Sequence, residues 1–543
     1  MKKSATIYDV CVVGSGAAGG VVAMELSKRG ASVVVLEAGK WVDPASEFLG
    51  HTMPYEFPHR GRRGEYHKKF RVDPSREPFT WAGNVKSDYT LVKAVGGKSL
   101  FWAGLSWRIS QHDLKEWPIN YQDLAPYYDK VERLMGVSGN PDHHPNIPDG
   151  VFLKPMGWHC AARLIEKGCH RLDKDRYQVI SSRKAILTER NWSKRPPCHY
   201  CGDCMKGCDT DSKYTSANTA IPLAAQTGKC KLITFANASR VTVNEAGNRA
   251  TGVRYFDART MNEREVKARI VALACGPIET ARLLLLSGSG HFPNGLANSS
   301  GLVGRNLMSH NHVNTSGVLK VLKGTEIIND DGTESNHAVI PSFYWKKPHP
   351  DFPSGYYINI ISGTSSGIGK PGFAYNVPGF GSDLKREIRE TYPGLVLLAA
   401  LNAMIPSPER YVELDPRVKD VYGLPVPKIH FSQTTEDLAM IRDAADRSAE
   451  IIEASGGEVL QKARGGGHDS THYAGTCKMG TDPKTSVLTP FCRTHDVKNL
   501  FVADGSCFVD YSEKNPTLTV MAIAARTADY IYEQLRSSRS TSR

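Results

Sequence analysis

The sequence predicts a mixed α/β fold of at least two domains that opens on a Rossmann-like dinucleotide-binding unit. Three observations predict it. The chain has 543 residues, whereas a single domain ordinarily holds about 50–200. With 40% hydrophobic, 23% charged and 9% aromatic residues it carries apolar material for large cores, which excludes a disordered chain, a collagen-like repeat and a coiled coil. The residues up to Glu37 then alternate strand, glycine turn, helix and strand, the opening of a parallel sheet.

The first unit is the most informative. Asp9 to Val13 is a short apolar run, Gly14-Ser15-Gly16-Ala17-Ala18-Gly19 the turn, a helix runs to Arg29, and Ser32 to Leu36 is a second apolar run ending at Glu37. Gly14 permits the tight turn, Gly16 lets the backbone approach a pyrophosphate, and Gly19 lets helix and strand pack closely, while the helix start offers unpaired amides to the phosphates. Glu37 stands where an acid accepts ribose hydroxyls. NAD and FAD share this pattern, so the unit by itself leaves the choice between them open. A second small-residue loop follows at Gly96, Gly97 and Ser99, within Val92 to Arg108. It suits backbone approach to a phosphate or flavin, or serves as an ordinary turn.

Further along, Lys231 to Val243 and Glu265 to Ala274 read as strands and Glu279 to Leu286 as a helix, and the runs Tyr356 to Ile361 and Lys428 to Ser432 read as strands of a substrate sheet. A coarse reading puts a cofactor domain in three pieces, residues 1 to 150, 211 to 310 and 470 to 543. A segment from 151 to 210 is inserted, and 311 to 469 form a substrate domain. The longest apolar stretch, Gly394 to Ile405, falls short of the roughly 20 residues a membrane span needs. No signal-peptide core precedes the first strand, so the expectation is a cytoplasmic chain. Net charge is +12, with basic clusters at His59 to Arg71 and in the terminal RSSRSTSR. These read as solvated surface before an acidic partner protein, and no nucleic-acid motif accompanies them.

Four of the twelve cysteines crowd together as Cys198, Cys201, Cys204 and Cys208. The spacing C-x2-C-x2-C-x3-C is that of the bacterial ferredoxin run. Asp209 stands where proline follows in two-cluster ferredoxins, and no second run exists, so one iron–sulfur cluster is expected, on three or all four thiolates. Zinc and unligated thiols are the alternatives. Cys11, Cys275, Cys477 and Cys507 lie in apolar or motif surroundings and read as small buried side chains.

Taken together, GSGAAGG with Glu37, AVGGKSLFWAG, GPIETARLLLLSGSG, and HYAGTCKMG through DGSCFVDYSEKNPTLTVMAIAAR resemble the glucose-methanol-choline (GMC) family of flavin oxidoreductases. EWPINYQDLAPYYDKVERLMGV, NSSGLVGRNLMSH and ELDPRVKDVYGLPVPKIHFS are similar to its bacterial sugar dehydrogenase and pyranose oxidase branch. The resemblance implies FAD, a sugar or alcohol hydroxyl as hydride donor, flavin N5 as acceptor, and a cofactor domain interleaved with a sheet-based substrate domain. It places the family's catalytic histidine at His472 and the partner at Asn515. It also places late FAD contacts at Asp504 and Gly505, with Asn515 and Pro516 against the flavin. The chemistry is consistent with this. An alcohol carbon releases hydride more easily as its hydroxyl proton leaves, so a neutral imidazole serves as base. Some relatives hold the flavin covalently through a histidine after the second glycine loop. Phe101 stands there, which implies non-covalent FAD.

Some sugar dehydrogenases of the branch carry a three-iron cluster in the equivalent region with different cysteine spacing, leaving [3Fe-4S] or [4Fe-4S] open. The expected function is therefore an FAD-dependent dehydrogenase oxidising a sugar or glycoside hydroxyl, with electrons leaving through the cluster to a cytochrome or other acceptor. A small export-signal subunit would reconcile the sequence with a periplasmic site. The alternatives are an oxidase that makes hydrogen peroxide and a non-catalytic electron-transfer component.

Overall fold

The computed structural model describes residues 6–48, 72–85, 89–173, 177–190, 194–202, 204–326, 337–341, 343–362, 377–468 and 471–540. The basic run His59 to Arg71 and the last three residues of the terminal run lie outside them.

Three sheets carry the chain. The first has the order β5 (Cys230–Ile233), β2 (Val33–Leu36), β1 (Ile7–Val13), β8 (Glu263–Leu273), β7 (Ala250–Asp257), β6 (Ala236–Val243), with β17 (Leu500–Val502) also on β8. Strands β5, β2, β1, β8 and β17 run parallel, and β8, β7 and β6 form an antiparallel meander. Val10 to Val13 and all of β2 are buried, as expected of parallel strands covered on both faces. One face is covered by the helix Ala17–Lys28, which packs on the helix Thr517–Ser540, itself packed on Tyr121–Met135. Tyr121–Met135 starts at a capping box between Asn120 and Asp123 and stops at left-handed Gly136, both visible in the sequence.

The second sheet is antiparallel, in the order β15 (Gly457–Gln461), β9 (Asn311–Leu319), β12 (Leu395–Asn402), β11 (Tyr356–Ser362), β10 (Ala338–Ile340), β4 (Ile180–Ser181), with β16 (Gly467–His468) also on β9. The helices Cys160–Asp173 and Thr435–Ala454 cover one face around Val313, Ile358, Leu398 and Ala400. On the other face His312, Leu401 and Tyr357 stand opposite one another in register, and Trp107, Leu105 and Ile147 pack there with Val339 and Leu401.

The expected boundaries are crossed twice. Residues from the inserted segment, in the helix Cys160–Asp173 and β4, belong to the second sheet's layer. Lys428 to Ser432, expected in the substrate sheet, instead falls in and just beyond β14 (Pro425–His430), which joins β13 (Tyr411–Lys419) and β3 (Thr80–Ala82) in a third sheet. Val412 and Ile429 turn into the same core as β1 and β8, and Arg282 of the helix Pro277–Leu286 bonds the Pro425 carbonyl at 3.0 Å and Asp420 at 2.6 Å. Alternation marks a strand, whereas this packing against a cofactor-domain helix decides its sheet. Among the described residues no helix is long and apolar enough to cross a membrane.

Candidate active site

The glycine turn is built as its spacing predicts. Gly14 has φ +99° and Gly16 caps the helix Ala17–Lys28 without a side-chain bond. A Cβ on Gly19 would stand 2.0 Å from the Gly14 carbonyl, whereas one on Gly16 would enter open space with nothing within 4 Å. That empty approach to a helix N-terminus fits a pyrophosphate. Glu37 is buried; its Oε2 accepts from Ser15 N at 3.1 Å and Ser15 Oγ at 2.6 Å, and its Oε1 from Gly39 N at 2.8 Å. Burial pushes its carboxyl above the usual range, opposed by these bonds and by Lys93.

The second glycine loop closes onto the first. Gly96 N donates to Ser15 Oγ at 3.0 Å, and Ser99 Oγ donates to Gly96 O at 2.6 Å and accepts from Ser216 N at 3.0 Å. Gly97 has its nearest possible Cβ neighbour at Gly16, 3.5 Å away, so both loops face one space. Asp504 Oδ2 takes Gly276 N at 2.9 Å and Thr280 Oγ1 at 2.6 Å, pinning Gly505 beside the start of the helix Pro277–Leu286. These residues fit FAD, and Phe101 is buried in an edge contact with Phe48.

His472 sits on a segment clamped from two sides. Met308 and Ala474 exchange backbone bonds at 2.9 Å, Gly475 N meets Gly505 O at 3.0 Å, and Cys477 N meets Ser506 O at 2.9 Å. Gly475, at φ +78°, would place a Cβ 1.9 Å from the Asn306 carbonyl, which explains glycine in this motif. Lys98 of the second loop donates to Thr471 O at 3.2 Å.

Around His472 the structure gathers residues whose roles the sequence did not reveal. His310 Nδ1 is 3.1 Å from His472 Nδ1, His310 Nε2 is 2.8 Å from the Ser512 carbonyl, and the His310 ring stacks on Tyr511 at 4.2 Å. The His312 ring is 6.1 Å from that of His472. Tyr357 OH donates to Asn515 Oδ1 at 2.6 Å in a buried contact, and Trp107 packs on Tyr357 at 6.1 Å. His310 appeared only inside a motif, and Tyr357 only inside an apolar strand. The alternation of β11, which puts Tyr357 opposite His312 through Leu401, is the signal that could have found it.

The Asn515 loop rests on buried charge. Lys514 Nζ bonds Asp113 at 2.9 Å and Glu513 at 2.8 Å. Burial alone would lower its pKa, but the two carboxylates more than offset this and hold it above the ordinary lysine value. Asp510 accepts from Trp117 Nε1 at 2.6 Å, and burial, with Asp113 and Glu116 nearby, pushes its carboxyl up to about 6.

The cysteine loop lies beside this frame. Lys213, fully buried, donates to Leu100 O at 3.1 Å, Trp102 O at 2.9 Å and the Cys204 carbonyl, tying the loop to the segment after Gly96-Gly97. Cys198 Sγ accepts from Tyr200 N at 3.3 Å and Cys208 Sγ from Lys213 N at 3.4 Å. Burial pushes the Cys198 thiol up to about 12, with Cys204, Cys208 and Cys201 close enough to add to the shift. The thiols are neighbours, but among the described residues no three His, Cys, Asp or Glu side chains are arranged to hold a metal ion. The expected cluster is thus not matched by a converged ligand set. Cys11, Cys477 and Cys507 are buried as expected, whereas Cys275 is partly exposed.

The chain is similar to known proteins along its length. The model of the GMC oxidoreductase family matches residues 183–312 and 406–524, and an FAD binding domain model matches 9–48. A 2-methyl-1,2-propanediol dehydrogenase of Mycolicibacterium austroafricanum is 30% identical over 98% of this chain and 96% of its own length. A fructose dehydrogenase large subunit of Gluconobacter japonicus is 28% identical over 97% of this chain and 98% of its own. Among solved structures, a formate oxidase of Aspergillus oryzae superposes with a TM-score of 0.68 at 16% identity, over 98% of this chain and 99% of that one, a likeness of fold.

Proposed function

The chain belongs to the GMC oxidoreductase family, and on that premise we propose that it oxidises a hydroxyl of a sugar or glycoside, with His472 as the base and Asn515 as its partner. It is an FAD-dependent oxidoreductase acting on CH–OH groups. Bound FAD supplies the hydride acceptor, held at the glycine turn, the second glycine loop and the Asp504 segment.

The observation that carries the reading is the polarity of the corner. Tyr357 donates to Asn515 Oδ1, which leaves the Asn515 amide N–H groups as the donors for a substrate oxygen. His472 takes the hydroxyl proton from that oxygen. A hydroxyl-rich substrate suits the same face. Trp107 Nε1 and Asn359 Oδ1 are buried without hydrogen-bond partners among the described residues, and a buried unpaired polar group costs about 1–3 kcal/mol, so sugar hydroxyls that pair with them bind in preference to an alkyl chain.

The test is anaerobic mixing of FAD-loaded protein with monosaccharides, glycosides, polyols and short diols while the visible flavin band is followed. Bleaching by sugars at lower concentration than by diols supports the reading, and bleaching by diols alone sinks the sugar assignment. The finer reading gives the four cysteines an iron–sulfur cluster that passes electrons to an external acceptor such as a cytochrome, in company with a small subunit that carries the export signal. Cysteine spacing supports the cluster, and the likeness to a large subunit supports the partner. Iron and sulfide analysis of freshly purified protein tests the cluster. Dye reduction compared with oxygen uptake separates the dehydrogenase from an oxidase.

A further inference from the structure

We infer that His310 is a positioning residue that fixes which nitrogen of His472 carries the proton, and so makes His472 Nε2 the basic atom. The inference rests on the reading of His472 as the base. A backbone carbonyl can only accept a hydrogen bond, so the 2.8 Å contact between His310 Nε2 and the Ser512 carbonyl requires a proton on that Nε2. A neutral His310 then carries its lone pair on Nδ1. The 3.1 Å contact between the two Nδ1 atoms holds one proton. Because His310 has already placed its own on Nε2, that shared proton belongs to His472 Nδ1. His472 is thereby held as the Nδ1–H tautomer, with the lone pair on Nε2.

The arrangement is rigid where it must be. His310 is 0% exposed, its ring lies within 7° of parallel to Tyr511, and Tyr511 is anchored through its carbonyl by Met404 N at 2.8 Å. The His310 and His472 rings cross at 88°, so the lone pair of one faces the N–H of the other without stacking. When the substrate hydroxyl gives its proton to His472 Nε2, the O–H electron pair stays on oxygen. The imidazolium that forms keeps its Nδ1–H on His310, where the bond becomes charge-assisted and stronger. A carbonyl and a neutral histidine thus do what a carboxylate does behind the base of a hydrolase triad.

Two substitutions of similar size separate this role from simple space filling. H310N keeps an acceptor where Nδ1 stands but loses the donor to Ser512, and H310Q keeps the donor but loses the acceptor. In the FAD-loaded enzyme, H310Q is expected to lower the limiting rate of anaerobic flavin reduction about 10- to 100-fold, as losses behind a reacting group do, with half-saturation and FAD content near the parent's. H310N stays closer to the parent. A parental rate for H310Q, or equal losses in the two variants, overturns the inference. H472A is the control: parental flavin reduction there means that the reading of His472 itself has failed. Should either His310 variant fail to fold, nitrogen-15 NMR of histidine-labelled parent protein decides. A protonated Nδ1 and bare Nε2 on His472 is the expected pattern, and the reverse overturns the proposal.

Discussion

At the glycine turn the groups facing the cofactor space are main-chain amides and missing side chains, with Ser15 and Glu37 only 22 residues apart. At the proposed catalytic corner they are side chains from remote segments: His310 and His472 are 162 residues apart, and Tyr357 and Asn515 are 158. The first region fails when an atom is added. The second fails when a donor and an acceptor are exchanged, even at constant volume. A backbone site is therefore written locally, and a side-chain site is written in hydrogen-bond directions that only the fold aligns.

The largest test of this contrast is His472→Ala, which should slow flavin reduction by about 10²–10⁴-fold while FAD content stays unchanged, since the cradle is elsewhere. Loss of FAD along with activity would show that the two regions are not separable. Gly19→Ala should act the opposite way. Its Cβ has only 2.0 Å to the Gly14 carbonyl, so about 3 kcal/mol of stability and most of the bound FAD should be lost, measured by denaturant unfolding and flavin release.

Asp510→Asn probes the loop that carries Asn515. The folded protein holds this carboxyl at about 6, above its ordinary value, so the ionised form costs stability at pH above 6. The cost fades as pH falls from 6 toward the ordinary carboxylate range. The amide keeps the acceptor for Trp117, so the variant should be more stable than the parent by about 3 kcal/mol at pH 8 and nearly equal to it near pH 4. Equal melting temperatures at both pH values would mean that the carboxylate is solvated. The smallest effect belongs to Tyr357→Phe, which removes one buried hydrogen bond worth about 1 kcal/mol. Flavin reduction should fall about fivefold without loss of FAD. An unchanged rate would show that Asn515 orients without Tyr357.

The first unit was legible because Gly14, Gly16, Gly19 and Glu37 act within one strand–helix–strand stretch. His472 and Asn515 were legible only through motif resemblance. The positions of Gly475 against Asn306 and of Asp504 against Gly276 supply the physical reason those motifs look as they do. Lys428 to His430 is a strand as its pattern predicts, with Phe431 and Ser432 beyond it, but it joins a different sheet, because periodicity carries no information about which partner a strand meets. In the cysteine loop the spacing was plain, but spacing does not bring thiols to one point.

The sequence by itself determined the mixed α/β class and the dinucleotide turn, since each depends on local spacing and on which residues lack a Cβ. Only the tertiary structure decided which sheet each strand joined, that Tyr357 donates to Asn515, and that His310 stands between the Ser512 carbonyl and His472. These depend on the directions of donors and acceptors brought together from far along the chain. A hydrogen bond has a direction in space that a one-dimensional sequence does not record.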